Sequence, residues 1–309
     1  VKIVVAGSHG LLGQAACHLL AHRGWSVHRL VRREARSARE IPWDPEAGVL
    51  DPAALVGIDA VLNLGGAGLA SRPWTRSYRE EVLRSRTRPT DLLARTVATT
   101  AGGPQVLLQA SAVGRYGDRG DEVLTETSGP GTGFLAEVVE AWEGATAPAS
   151  DAGVRVVHLR TGSIALSRSG GGSSGLLLTA VRLGLGGPLG PGTNWWSWIT
   201  VPDHARAVHH VLESDARGPV NLTAPQPVPQ RELIEALARA VHRPAALRVP
   251  ARVLRLVLRD VADELLLSSQ RALPTVLEAS GFTWTHPTLP DAAAWVAADE
   301  NAPAERPTS

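Results

Sequence analysis

Apolar positions along this chain fall into two alternating periods. Val1-Lys2-Ile3-Val4-Val5-Ala6 is a nearly continuous apolar run, the pattern of a strand buried on both faces, and it breaks directly into Gly7-Ser8-His9-Gly10-Leu11-Leu12-Gly13. Over residues 11–21, Leu12, Ala15, Ala16, Leu19 and Leu20 recur at helical spacing and predict a helix. The alternation repeats downstream, with strands over 25–31, 59–67, 105–110 and 154–159. Between them, helices are predicted over 77–100, with Val82, Leu92, Leu93 and Val97 inward, and over 134–147. Strand and helix in turn, with apolar strands throughout, predict an α/β protein built on a doubly wound parallel sheet.

Beyond residue 166 the texture changes. A Gly/Ser-rich loop covers 169–174, and 183–198 is rich in Gly, Pro and Trp, which reads as a wall over a ligand cleft instead of a sheet layer. Residues 232–241 and 253–267 carry helical patterns, and Phe282-Thr283-Trp284 reads as a short terminal strand. The expected division is a nucleotide-binding unit at 1–166, a smaller, mostly helical substrate or lid region at 167–299, and a disordered tail at 300–309.

The glycines supply the first chemistry. A pyrophosphate needs backbone N–H groups brought close at a helix N-terminus, and only residues without a Cβ allow that approach. Strand, Gly7-x-x-Gly10-x-x-Gly13 and helix in that order therefore predict a dinucleotide site, with Ser8, His9, Leu11 and Leu12 completing the loop. At the end of the second strand, where such sites meet the adenosine ribose, stand Arg32 and Arg33, with no acid before Glu34. An arginine accommodates a 2′-phosphate where an acid would hold a free hydroxyl, so the expected cofactor is NADP (NADPH). Leu64, Gly65 and Gly66 close the next strand, where the sheet edge passes beneath the cofactor, and Ala110 and Ser111 end the one after it.

The G-x-x-G-x-x-G spacing matches the extended, epimerase-like branch of the short-chain dehydrogenase/reductase superfamily, and further strings narrow the resemblance. They are Ser111 to Glu122 (SAVGRYGDRGDE), Phe134-Leu135-Ala136-Glu137 with Trp142-Glu143, Leu159-Arg160-Thr161-Gly162, Leu183 to Gly190 (LGLGGPLG), and Trp195-Trp196-Ser197-Trp198-Ile199. Together they resemble the atypical "epimerase family protein" group, which includes the YfcH-like bacterial proteins. The segments around 225–229, 238–244 and 270–274 resemble that group's small C-terminal domain of unknown function. The resemblance implies an NADP-binding extended fold and adds Arg160 and Thr161 to the cofactor-facing set. Members commonly carry Thr or Ser at the position of His9, an acid near Ala67 and His at Thr200, so family roles of those side chains do not transfer here.

Ordinary superfamily members use a tyrosine whose phenol is shifted from about 10 toward neutrality by a lysine four residues on, both on one helix face. This chain has no such pair. Tyr78 and Tyr116 are its only tyrosines, followed at four residues by Val82 and Gly120, and Lys2 is its only lysine. Where the Tyr-Lys helix should begin stands Phe134. The remaining catalytic candidates are Ser111 at a strand end, to polarise a substrate oxygen or to make a local turn bond, then Tyr116 in the same loop and Glu137 one helical turn after Phe134. Phe134, Trp195 and Trp198 are the expected substrate cleft, the tryptophans stacking on a planar ligand or excluding water. His204, His209 and His210 form no His-x-x-x-His pair with an acidic partner, and no metal is expected.

Composition trims the alternatives. At 309 residues, 44% apolar and 20% charged, the chain has the makeup of a globular protein with a sizeable core. A formal net charge of +1 proposes neither nucleic acid nor an anionic membrane as partner. No apolar run reaches the ~18 residues of a membrane span and the N-terminus opens on a strand, so the expected compartment is cytoplasmic. The lone Cys17 excludes an internal disulfide. Two functions stay open: an atypical NADP(H)-dependent oxidoreductase or epimerase-like enzyme on an unidentified small carbonyl or hydroxyl compound, or a non-catalytic NADP sensor of the cell-division-inhibitor kind, as monomer or homodimer.

Overall fold

The computed structural model describes residues 1–69, 72–168, 171 and 174–298; the expected loop at 169–174 and the tail at 300–309 fall largely or wholly outside them. The first half runs β1 (Lys2–Ala6), α1 (Leu11–His22), β2 (Ser26–Val31), β3 (Glu40–Pro42), β4 (Ala60–Asn63), α2 (Arg76–Thr99) and β5 (Val106–Ala112). Then come β6 (Val123–Leu124), α3 (Phe134–Gly144), α4 (Ala147–Asp151), β7 (Arg155–Thr161), β8 (Ile164–Leu166) and α5 (Gly175–Arg182). The chain continues through β9 (Trp195–Trp196), β10 (Trp198–Thr200), α6 (Val201–Glu213), β11 (Gly218–Leu222), β12 (Val228–Pro229) and α7 (Gln230–Ala240). It closes with α8 (Ala251–Leu258), a π-helical turn at Ala262–Leu267, β13 (Arg271–Ala272), α9 (Thr275–Ala279) and α10 (Leu289–Ala297).

Seven strands form one parallel sheet in the order β11-β7-β5-β4-β1-β2-β3. The chain starts at β1 near the middle, winds outward through β2 and β3, then crosses to β4, β5, β7 and β11. That reversal leaves a crevice at the carboxyl ends of β1 and β4, the usual ligand position in doubly wound folds. Strand alternation divides the core. Ile3, Val5, Leu62 and Leu108 pack with Ala16, Cys17 and Leu20 of α1 and Val208 and Val211 of α6, whereas Val4, Ala6, Val61 and Leu107 face Leu93, Ala94 and Val97 of α2.

The expected boundary at 166 does not separate two bodies. Having left through β8, the chain returns as α6 and β11, and Val220 and Leu222 of β11 lie in the same core as β7. The smaller lobe is built between and after these returns, around Leu178, Val181, Trp196, Trp198, Leu233, Leu237, Ala292 and Val296. Residues 282–284 form no strand; Phe282 packs into the α1–α6 core instead. The helical pattern over 253–267 is broken at Arg259, whose φ of +51° ends α8 before the π-helical turn.

Candidate functional site

The three loop glycines have separate jobs. Gly7 has φ +76°, and a Cβ there would stand 2.6 Å from the Leu64 carbonyl carbon; one on Gly13 would stand 2.1 Å from the Gly7 oxygen. Both therefore serve close packing of β1, α1 and the loop after β4. A Cβ on Gly10 would meet only the Gly7 oxygen, at an ordinary 3.5 Å. Among the described residues no atom requires glycine at position 10, and no side chain caps the first-turn N–H groups of α1, which starts there. The residue between the packing glycines thus faces open space at a helix N-terminus, which is the shape a pyrophosphate needs. Ser8 is buried beneath the loop, and exposed His9 is held by its carbonyl, which accepts from Gln14 Nε2 at 2.8 Å.

At the end of β2 the two arginines part company. Arg33 grips Glu40 with both terminal amino groups, Nη1 and Nη2, at 2.9 and 2.7 Å, and with Arg36 N–H holds that carboxyl well below the usual carboxylate range. Arg32 is exposed and has no carboxylate partner among the described residues.

The loop after β4 is fixed from below. Asn63 Oδ1 accepts from Gly65 N–H at 3.2 Å, and its amide donates to Gln109 Oε1 at 2.9 Å. Beside it lies a cation that local spacing did not signal. Arg86 of α2 is 9% exposed, its guanidinium 3.3 Å from where a Gly66 Cβ would be, donating to the carbonyls of Ala67 and Val82 and lying over the Trp142 ring. No carboxylate pairs with it among the described residues, and burial pushes its pKa down to about 10. A buried guanidinium without a counter-charge is costly unless an anion completes its surroundings.

Ser111 and Tyr116 are drawn into one buried network. Ser111 Oγ donates to Glu143 Oε1 at 2.6 Å; Arg160 grips Glu143 at 2.8 and 2.9 Å and donates to Tyr116 Oη at 3.0 Å; Tyr116 donates to Asn221 Oδ1 at 2.8 Å. Tyr116 is 0% exposed, and burial raises its pKa despite Arg160 beside it, so this phenol is a structural anchor here and not a donor facing a substrate. Arg160, expected at the cofactor, is likewise enclosed beneath the strand ends. His158 belongs to the same cluster, its Nε2 2.9 Å from Thr146 Oγ1. Thr161 Oγ1 lies 3.1 Å from Nε2 of fully buried His204. Ala110 lies buried on the opposite sheet face from Ser111.

Phe134 opens α3, and its ring meets Trp74 edge-on at 5.2 Å, with the Arg79 guanidinium 4.9 Å above it. Arg79 is ion-paired to Asp260. These residues, with Arg76, Glu80 and Leu83, line an open cavity of about 480 Å³. Across the helix start, Glu264 accepts the N–H groups of Phe134 and Leu135 at 2.8 and 2.7 Å, so the C-terminal segment caps α3. Gly133, at φ +110°, makes room for that carboxylate. Glu137 is exposed on the outer face of α3. Of the two tryptophans expected in the cleft, Trp198 is 0% exposed in the small-lobe core, its indole N–H donating to Gln226 O. It cannot line a cleft. Trp195 is half-buried, stacked on by Arg271 at 4.3 Å and donating to Asp121 Oδ1 at 2.8 Å.

With this geometry in view, the relatives are informative. The family model described as "NAD dependent epimerase/dehydratase family" matches residues 3–223. The chain belongs to this family. Residues 249–296, which include α8 and the Glu264 cap, match the "Domain of unknown function (DUF1731)". Epimerase family protein Mb2239 of Mycobacterium bovis is 41% identical over 295 residues, covering 94% of this chain and 95% of the relative. The crystal structure of human epimerase family protein SDR39U1 (isoform2) with NADPH superposes with a TM-score of 0.88 at 30% identity, covering 98% of this chain and 100% of that one. A nucleoside-diphosphate sugar epimerase from Corynebacterium glutamicum superposes at 0.78 with 36% identity, covering 95% of this chain and 57% of the other.

Sequence reasoning missed Arg86, Glu264, Trp74 and Arg79. Arg86 and Arg79 sit in a helix rich in arginine, where nothing local marks a buried one, and Glu264 meets α3 from 130 positions away.

Proposed function

We infer that this member of the epimerase/dehydratase family binds NADP(H) at the Gly7–Gly13 loop. It acts as an atypical oxidoreductase or epimerase-like enzyme on a small carbonyl or hydroxyl compound. The observation that carries the reading is Gly10, a glycine that no neighbour among the described residues requires, at a helix N-terminus that none of their side chains caps. Arg32, without a carboxylate, suits a 2′-phosphate, and Arg86 under Gly66 supplies the buried positive charge that an anionic cofactor would balance. The human relative crystallised with NADPH supports the same cofactor.

A bound nicotinamide supplies hydride donation and acceptance. This chain's contribution is to hold the dinucleotide, to shape the aromatic cavity beside Phe134, and to keep Ser111, Glu143 and Arg160 as a rigid floor under the strand ends. With Tyr116 enclosed, Glu137 on the outer face of α3 and no phenol at position 134, proton transfer falls to water. A second reading, an NADP sensor without turnover, is favoured by two features: Phe134 has no proton to give, and Glu264 already occupies the N–H groups at its helix start.

The deciding experiment pairs calorimetric titration of NADPH and NADH with NADPH oxidation assayed over a panel of aldehydes, ketones and sugar nucleotides. Tight NADPH binding with slow turnover of one compound class supports the enzyme. Tight binding with no turnover supports the sensor, and no binding removes both.

A further inference from the structure

Overall charge near neutrality conceals a strongly segregated segment. From 237 to 259 the chain carries Arg239, His242, Arg243, Arg248, Arg252, Arg255 and Arg259 and no acid. All seven are exposed, and Arg243, Arg248, Arg252 and Arg259 have no carboxylate partner among the described residues.

The same segment leaves aliphatic side chains uncovered. On α8 only Leu254 is buried; Leu256 is 82% and Val257 70% exposed, with Val253 between them on the helix surface, while Arg252, Arg255 and Arg259 form the adjoining stripe. The patch continues off the helix. Gly190 N–H donates to Val249 O and Val249 N–H to Pro188 O, so the chain at 188–190 runs alongside Val249, and Leu183, Leu185 and Leu247 in the two segments are exposed as well. The result is an aliphatic surface with Arg243, Arg248, Arg252 and Arg259 unpaired beside it, while Arg239 and Arg255 are paired to Glu235 and Asp263; none of the residues named is aromatic.

We propose that this face, centred on α8, docks peripherally on an anionic phospholipid surface. Aliphatic side chains next to an arginine stripe on a helix are the arrangement that lies at a bilayer interface, where the apolar residues enter the acyl boundary and the guanidinium groups meet phosphate headgroups. The aromatic anchors common at the centre of protein interfaces are absent from the residues named. A net charge averages this segment with the rest of the chain, so the near-neutral total does not by itself speak against the proposal.

The test is co-sedimentation of the full chain with phosphatidylcholine vesicles, with and without phosphatidylglycerol, at low and high salt. Binding is expected only with the anionic lipid and is expected to weaken with salt. Each basic residue near an anionic surface contributes a factor of about five, so Arg252→Glu should lower partitioning at least tenfold. Leu256→Asp with Val257→Asp should abolish binding at unchanged circular dichroism and melting temperature, since both side chains are exposed. Equal binding to both vesicle types, no binding to either, or unchanged binding by the variants overturns the proposal. So does sedimentation showing a dimer that Leu256→Asp dissociates, which would assign the face to a second copy.

Discussion

Arg160 and Glu143 meet edge to edge beneath the ends of β5 and β7, Nε to Oε1 at 2.8 Å and Nη2 to Oε2 at 2.9 Å, with both side chains buried. Burial alone would raise the Glu143 pKa, but the hydrogen bonds and charge of Arg160, with Ser111 and His158, hold it below the usual range. The pair is thus charged in the folded state, and it ties α3 to the sheet on which the site rests. Glu143→Gln leaves a buried guanidinium unpaired and should cost about 3–5 kcal/mol in urea unfolding. Because the folded pKa is depressed, the carboxylate's contribution is complete above its unfolded pKa of about 4.3 and fades as pH falls through the lower folded value. Wild type and variant should therefore converge only in strong acid.

His204 adds a second loss on the same acid side, setting in at higher pH. Burial pushes its pKa down to about 4, so the ring is neutral when folded. The unfolded chain binds a proton below about pH 6.5, and stability should fall as pH drops from there toward the folded value, by about 2 kcal/mol between neutrality and pH 5. Urea midpoints of wild type and His204→Gln over that range measure it; parallel slopes would mean the histidine does not carry the loss.

Gly10 and Gly13 should separate binding from folding. Gly10→Val has room in the protein and should melt near wild type while losing NADPH binding. Gly13→Val places side-chain carbon against the Gly7 oxygen and should unfold or melt far lower. Normal NADPH affinity in a folded Gly10→Val protein would remove the loop from the cofactor site.

Arg32 should carry the preference for NADPH over NADH. Losing one charge-assisted contact costs about 1.5–3 kcal/mol, so calorimetry should show at least a tenfold preference that Arg32→Ala largely erases. Arg33, already engaged by Glu40, should matter less to selectivity and more to the shape of the β2–β3 turn.

Restoring a tyrosine-lysine pair on α3 meets the packing. Phe134→Tyr should be tolerated at the open cavity, but Val138 is buried with Tyr78 and Val82, and Val138→Lys puts an ammonium there. The double variant should melt well below Phe134→Tyr alone, and any gain in NADPH oxidation should be confined to the single variant.

The alternation of strands and helices, the glycine loop and the missing Tyr-Lys pair were all legible in the chain, because each rests on local rules: strand and helix periods, and the approach that only a residue without Cβ allows. Even so, which glycine is left free for a ligand was decided by what surrounds each one, Leu64 and the Gly7 oxygen for two of them and open space for Gly10. Partners distant in sequence were not legible. Ser111 meets Glu143 32 positions away, Tyr116 meets Asn221 105 positions away, and Trp198 is swallowed by a core assembled from α5, α7 and α10, so a hydroxyl or indole of suitable type at a suitable strand end turned out to be structural. Hydrogen bonds and burial depend on which surfaces the fold brings together, and that choice is made by the packing of the whole chain, not by any one segment.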